Sequence, residues 1–338
     1  MILQILLFLL LVAAASSATL ITHPPGPYDT FYNTVQLTDT PRLDPFSPNP
    51  TNRTILTSTF IPTYSTASAS VTPLTLSTCP RLSHLSFNYP LLIFSPGLST
   101  TRLLYNILAQ AIASEGYIVL SIDYPYDIEI LEFPNGNIIP SLDLTDTQIP
   151  LGVQTRARDI SFIIDQLSTP SGLSMLLGLP NCKVEWLRTE RVGVYGHSLG
   201  DAAAAEAMRL DSRIVAGINL DGTMFAPVIE TGLHNQSFLL FEHENKTQDT
   251  DSTWKEFWGN TRGGWKVELE LKGAQYYTFS DLPVLLEVLG VDVEGLPGVE
   301  GSIGRLEGQR VVDIIRGIVG VFFGVGLGGD PEVRIIAL

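Results

Sequence analysis

The chain has 338 residues, 45% of them apolar, with two cysteines and a formal charge of −15. So acidic a balance excludes nucleic acid as a partner, because a phosphate backbone is bound by clustered Lys and Arg, and it disfavours strongly anionic membranes. His23, His84, His197, His234 and His243 are scattered without metal-ligand spacing, so neither a metal nor a cofactor is expected.

Residues 1–18 read as a secretory signal: Ile5 to Val12 is continuously apolar and Ser16-Ser17-Ala18 offers a small-residue cleavage site, although the start lacks Lys and Arg. The run is far shorter than the ~20 residues of a membrane span, which disfavours an anchor. Sequons at Asn52, Asn235 and Asn245 fit an exported glycoprotein, so the expected location is extracellular. Cys79 and Cys182 permit one disulfide, which spacing alone does not establish.

Residues 19–338 read as one domain. Its first part, 19–88, is rich in Thr, Ser and Pro and is expected to be an irregular wrap with short edge strands. From residue 89 a β/α alternation begins. Leu91–Phe94 is a short apolar strand, broken by Ser95-Pro96-Gly97; Leu103–Ser114 has helical spacing; and Tyr117–Ile122 is the next strand. Residues 124–155 read as a loop-rich insertion, a candidate lid, before a helix over Arg156–Leu167. Then follow a strand Arg191–Tyr195, a helix Leu199–Leu210, strands Ile214–Leu220, Phe238–Phe241 and Lys266–Leu271, and a last helix Val311–Phe323. Such alternation implies a mostly parallel sheet covered by helices on both faces. A GxGxxG match at 324–329 carries no signal, because it follows a helix and opens no βαβ unit.

Gly196-His197-Ser198-Leu199-Gly200 is a G-x-S-x-G between an apolar strand and an Ala-rich helix, the context of a nucleophile elbow. It points to an α/β-hydrolase fold with Ser198 as the nucleophile. The helix N-terminus turns free N–H groups toward a developing oxyanion. Leu199 N–H is one expected donor, and the loop after an early strand supplies the other, assigned to Leu98 N–H in Ser95-Pro96-Gly97-Leu98. Asp221, at the end of the strand after the elbow helix, can orient a base beside Ser198.

In order along the chain, Leu37-Thr38-Asp39, Arg42-Leu43-Asp44-Pro45, Phe94-Ser95-Pro96-Gly97-Leu98, Asp123-Tyr124-Pro125-Tyr126-Asp127, the elbow, Leu220-Asp221-Gly222 and Thr278-Phe279-Ser280-Asp281 resemble the platelet-activating-factor acetylhydrolase family, especially its fungal secreted branch. The resemblance implies a calcium-independent Ser-His-Asp hydrolase that removes short or oxidised acyl groups from phospholipids. It implies Ser198 as nucleophile, Asp221 as acid, and Leu98 with Leu199 as oxyanion hole. Expected partners are therefore a short-acyl or oxidised phospholipid or another small ester, with peripheral lipid contact and no membrane span.

Two positions depart from the family pattern. Tyr276 stands where the family has its catalytic histidine, and Asp201 replaces a second glycine after Gly200. A phenol titrating near ~10 does not accept a serine proton at neutral pH. Of the remaining histidines, His197 should point away from the nucleophile, and only His243, just after the Phe238–Phe241 strand, is in a place to approach it. Asp201 is expected to disturb the elbow through its charge and bulk. Two functions stay open: an ester hydrolase, and a catalytically silent hydrolase fold that binds a lipid or a protein.

Overall fold

Runs of five to seven residues between 91 and 271, most of them apolar, form the parallel strands of the main sheet, and the alternate side chains of the buried strands supply two cores. The computed structural model describes residues 24–63, 89–178, 187–291 and 296–328. An eight-stranded sheet has the order β1-β2-β4-β3-β7-β8-β9-β10. Its strands are β1 (Asp29–Leu43), β2 (Asn52–Thr63), β3 (Leu91–Ser95), β4 (Ile118–Asp123), β7 (Val192–His197), β8 (Ile214–Leu220), β9 (Ser237–His243) and β10 (Lys266–Leu271). The six from β4 to β10 in that order pair in parallel, and β2 and β1 extend the sheet antiparallel.

On β3, Leu91 and Ile93 face one core while Leu92 and Phe94 face the other. Phe238 and Leu240 on β9 likewise oppose Leu239 and Phe241. This is the period of two expected of strands buried on both faces. Helix α1 (Asn106–Ala113) and the last helix cover one face, and α2 (Ile149–Leu167) with α4 (Leu199–Leu210) the other. Between those last two runs α3 (Pro170–Leu176). This layered arrangement is the α/β-hydrolase fold.

Residues 29–63 differ from the expected irregular wrap with short edge strands. β1 has 15 residues and β2 has 12, and β2 lies inside the sheet between β1 and β4. Its sequence hides this, because Thr57, Ser58 and Thr59 are polar yet buried. Thr suits a strand through its β-branch, and two of the three hydroxyls find partners: Thr57 Oγ1 donates to Val35 O at 3.1 Å, and Ser58 Oγ accepts from Arg102 Nε at 2.7 Å, while Thr59 Oγ1 has none. A buried ion-pair cluster then ties this region to α2. Arg53 reaches Asp44 and Asp159, each at 2.8 Å, and Arg42 reaches Asp39 at 2.8 Å and also Asp159.

Helix α2 begins at Ile149, seven residues before the expected Arg156, with Pro150 in its first turn, where its missing N–H costs nothing. The segment expected as a loop-rich insertion therefore ends inside a helix. It also holds a two-stranded ribbon, β5 (Ile130–Glu132) and β6 (Ile138–Pro140). Downstream, the chain adds the short helices α5 (Val228–Thr231), α6 (Ser252–Asn260), α7 (Leu282–Val288) and α8 (Pro297–Ile303). The last helix, α9 (Gly308–Gly326), is longer at both ends than Val311–Phe323, and no described helix is long and apolar enough to cross a membrane. Cys79, Cys182 and residues 1–18 lie outside the described residues.

Candidate active site

β7 ends at His197 and α4 begins at Leu199, so Ser198 alone makes the turn, with φ 58° and ψ −122°. A non-glycine residue with positive φ is strained and persists only where its surroundings hold it. Here Ser198 N–H donates to Leu220 O on β8 at 3.3 Å, and Ser198 O accepts from Asp201 N–H at 3.3 Å. The flanking glycines allow the close approach: a Cβ on Gly196 would lie 2.3 Å from Gly200 C, and one on Gly200 would lie 1.9 Å from Ser95 O.

That last contact brings the loop after β3 against the elbow. Pro96 O accepts from Arg156 Nη1 at 2.5 Å; Gly97 O accepts from Nη2 at 3.3 Å and from Thr100 Oγ1 at 2.8 Å. In a trans peptide the C=O and the following N–H point in opposite directions, so the guanidinium turns Leu98 N–H away from itself. Neither Leu98 N–H nor Leu199 N–H has an acceptor among the described residues. Arg156 is fully buried, pairs with Asp127 through Nε at 2.6 Å, and sits 4.4 Å from the centre of the Tyr124 ring. By sequence Arg156 marks only the start of an expected helix. Its signal was a charge on the apolar side of a helix, with an aspartate waiting in Asp123-Tyr124-Pro125-Tyr126-Asp127.

Tyr276 opens a short 3₁₀ turn, Tyr276–Phe279, and its hydroxyl donates a short hydrogen bond to Ser198 Oγ. Burial pushes the phenol well above its ordinary pKa, so it stays protonated across the physiological range. Tyr276 therefore touches the serine oxygen as a donor and takes no proton from it.

Ser198 and Asp221 lie at the ends of the adjacent parallel strands β7 and β8. No hydrogen bond joins Asp221 to Tyr276. Instead the Asp221 oxygens lie 2.6 and 2.7 Å from His243 Nδ1, and Lys246 Nζ is 3.7 Å from Oδ1 and 2.6 Å from the Asp221 carbonyl. His243, the last residue of β9, thus meets the acid, and no hydrogen bond joins it to Ser198. His197 is buried, bonded to Tyr105 and to the Tyr276 carbonyl, while His234 is exposed beside Arg262.

Asp201 lies in the first turn of α4, fully buried, with neither carboxyl oxygen hydrogen-bonded. Burial raises its pKa well above the ordinary carboxylate value, with Asp221 adding to the effect and Lys246 opposing it, which favours the neutral acid. It fits through its volume: a Cβ on Gly222 would lie 1.9 Å from Asp201 Oδ1, so the glycine after Asp221 leaves the room that Asp201 fills. The shift works against the expected charge beside an oxyanion, and the bulk of Asp201 finds room at Gly222. Beside the elbow, Leu98, Leu144 and Phe225 are half-buried against Ile149, Val153 and Leu199, giving the site an apolar wall.

Residues 68–126, which carry β3 and the Leu98 loop, match the family described as platelet-activating factor acetylhydrolase, isoform II. The chain is 32% identical over 255 residues to a probable 1-alkyl-2-acetylglycerophosphocholine esterase of Arthroderma benhamiae, covering 72% of this chain and 62% of that one. It is 24% identical over 247 residues to a Gallus gallus platelet-activating factor acetylhydrolase, covering 63% and 58%. The chain thus spans about three fifths of the length of these relatives. Among solved structures, a ferulic acid esterase from Streptomyces cinnamoneus superposes with a TM-score of 0.75 at 27% identity, over 93% of this chain and 95% of that one. With its elbow on an α/β-hydrolase sheet and a relative 32% identical over 72% of its length, the chain belongs to the platelet-activating-factor acetylhydrolase family.

Proposed function

We propose that the chain is a serine esterase of attenuated activity that binds small carboxylic esters, short-acyl or oxidised phospholipids among them. Ser198 is the nucleophile, Leu98 N–H and Leu199 N–H hold the oxyanion, and Asp221 is the acid of a triad whose base position is filled by Tyr276. The substrate class rests on the names of the relatives, one of them an esterase of an acetylated glycerophosphocholine, and on the apolar wall beside Ser198. Export from the cell is part of the proposal, supported by the apolar residues 1–18 and by the exposure of Asn52, Asn235 and Asn245 at the three sequons.

The observation that carries the reading is the hydrogen bond from Tyr276 to Ser198. A serine hydroxyl attacks an ester once a base takes its proton, and a phenol that stays protonated supplies none. What remains is acceleration of ~10³–10⁴-fold over water from the oxyanion hole and binding. The same hydrogen bond favours a second reading, in which a silent hydrolase fold retains the ester pocket for lipid binding. Hydrolysis of p-nitrophenyl acetate by the purified chain and by its Tyr276→His variant tests the proposal. The variant is expected to be faster by at least ~10²-fold, the low end of a general-base contribution. Robust Ser198-dependent turnover in the unmodified chain would sink the attenuated reading.

A further inference from the structure

The elbow histidine, which the proposed chemistry does not use, is buried and makes two hydrogen bonds. His197 Nε2 lies 3.0 Å from the backbone carbonyl of Tyr276, and Nδ1 lies 2.8 Å from the Tyr105 hydroxyl. A carbonyl oxygen has no proton to give, so Nε2 carries the hydrogen and donates it. Burial depresses the imidazole pKa to about 4, so the ring is neutral and Nδ1 is a bare acceptor. Tyr105 must then donate to Nδ1, and burial keeps that phenol protonated. The Tyr105 oxygen is 3.2 Å from Thr100 Oγ1, which is 2.8 Å from Gly97 O. Gly97 O is the carbonyl whose orientation aims Leu98 N–H. With the Tyr105 hydrogen given to Nδ1, Thr100 Oγ1 is the donor of its pair with Tyr105 and shares its one hydrogen between the Tyr105 oxygen and Gly97 O, which links the oxyanion loop to the backbone of residue 276 through one ring of fixed tautomer.

We propose that His197 is a positioning residue, which holds the backbone of residue 276 at a set distance from Ser198 and couples it, through Tyr105 and Thr100, to the loop that presents Leu98. The inference rests on the reading of Ser198, Leu98 and residue 276 as one site. The two segments come from distant parts of the chain, residues 97–105 and 276, and the residue next to the nucleophile is where a single side chain can reach both. Gly97 is part of the fit: a Cβ there would lie 3.1 Å from Thr100 Oγ1 and 3.5 Å from His197 Nδ1. A displacement of about 1 Å between base and nucleophile costs on the order of 10²-fold in rate, so the anchor acts on kcat and leaves substrate binding alone.

Two measurements decide it. In the unmodified chain, ¹⁵N spectra of the His197 ring should show the Nε2–H tautomer, unchanged between about pH 5 and about pH 8, whereas a free imidazole titrates in that window. An Nδ1–H ring, or one that titrates there, overturns the proposal, and this readout needs no activity. In the Tyr276→His background, His197→Phe keeps a ring but offers no hydrogen bonds, and should lose about 10²-fold in kcat with KM unchanged. His197→Gln, whose amide donates and accepts, should recover to within about threefold of that background. A Phe variant with full kcat, or a folded Gln variant as slow as Phe, overturns the proposal. If Tyr276→His gains no turnover, the failure is that of the proposed function, and the ring spectrum still decides the role of His197.

Discussion

His243 Nδ1 lies 2.6 Å from one carboxylate oxygen of Asp221 and 2.7 Å from the other, reaching across from the neighbouring strand β9. Lys246 places a cation beside the same aspartate. With residue 276 a tyrosine, the acid has no imidazole partner there, and His243 meets its oxygens instead. A histidine restored at 276 must compete with His243 for Asp221. Adding His243→Asn to Tyr276→His should therefore raise kcat by a further ~10-fold or more, a part of the ~10⁴ that orientation of the base by its acid is worth in a serine triad. Steady-state rates of the single and double variants check this, and a double variant no faster than the single one refutes it.

On the proposed reading, Tyr276 slows chemistry because the phenol that touches Ser198 stays protonated and supplies no base. Removing the hydroxyl alone should leave the enzyme slow. Tyr276→Phe is expected within about threefold of the unmodified chain, whereas Tyr276→His gains at least ~10². A Phe variant that gains as much as the His variant would make the hydroxyl a plug over a base supplied from elsewhere.

Arg156 is buried against Asp127 and holds two loop carbonyls. Arg156→Met leaves Asp127 as an uncompensated buried charge, a loss of about 3–5 kcal/mol. It also frees the peptide that aims Leu98 N–H. Guanidinium unfolding should show the stability loss, and in the Tyr276→His background the variant should lose turnover at temperatures where it remains folded. Unchanged unfolding would mean that the pair contributes nothing.

Stability should fall as pH rises from mildly acidic to alkaline. Burial raises the pKa of Asp201, and Glu242, with one carboxyl oxygen unpartnered, is pushed up to about 9 by burial and by the charges of Glu268, Asp221 and Glu270. Such groups keep their protons in the folded chain but lose them on unfolding above about pH 4. The folded state then binds more protons, so unfolding becomes easier as pH rises. The contribution is complete below the unfolded pKa values and is lost up to the folded ones, near 9 for Glu242. Glu242→Gln should flatten the fall of Tm between about pH 5 and about pH 9. An identical slope in both proteins would show that Glu242 ionises freely in the fold.

The amino-acid order alone determined the β/α alternation, the strand–turn–helix around Ser198 and the boundaries of Leu199–Leu210, Ile214–Leu220 and Lys266–Leu271, because a strand buried on both faces is a continuous apolar run, the edge strand Lys266–Leu271 alternates polar with apolar, and glycines mark the turn. It also exposed Tyr276 and Asp201 as departures, since a motif position is a property of order. β2 escaped because its buried residues are Thr and Ser, whose burial depends on the neighbours Arg102 and Val35. The start of α2 escaped because a proline in a first turn reads like a loop. The protonation of Asp201, the pairing of His243 with Asp221, the Arg156 clamp and the tautomer of His197 were decided by tertiary structure alone. Each depends on which side chains from distant segments share a low-dielectric site, and there desolvation and a partner at hydrogen-bond distance outweigh the ordinary pKa of the residue.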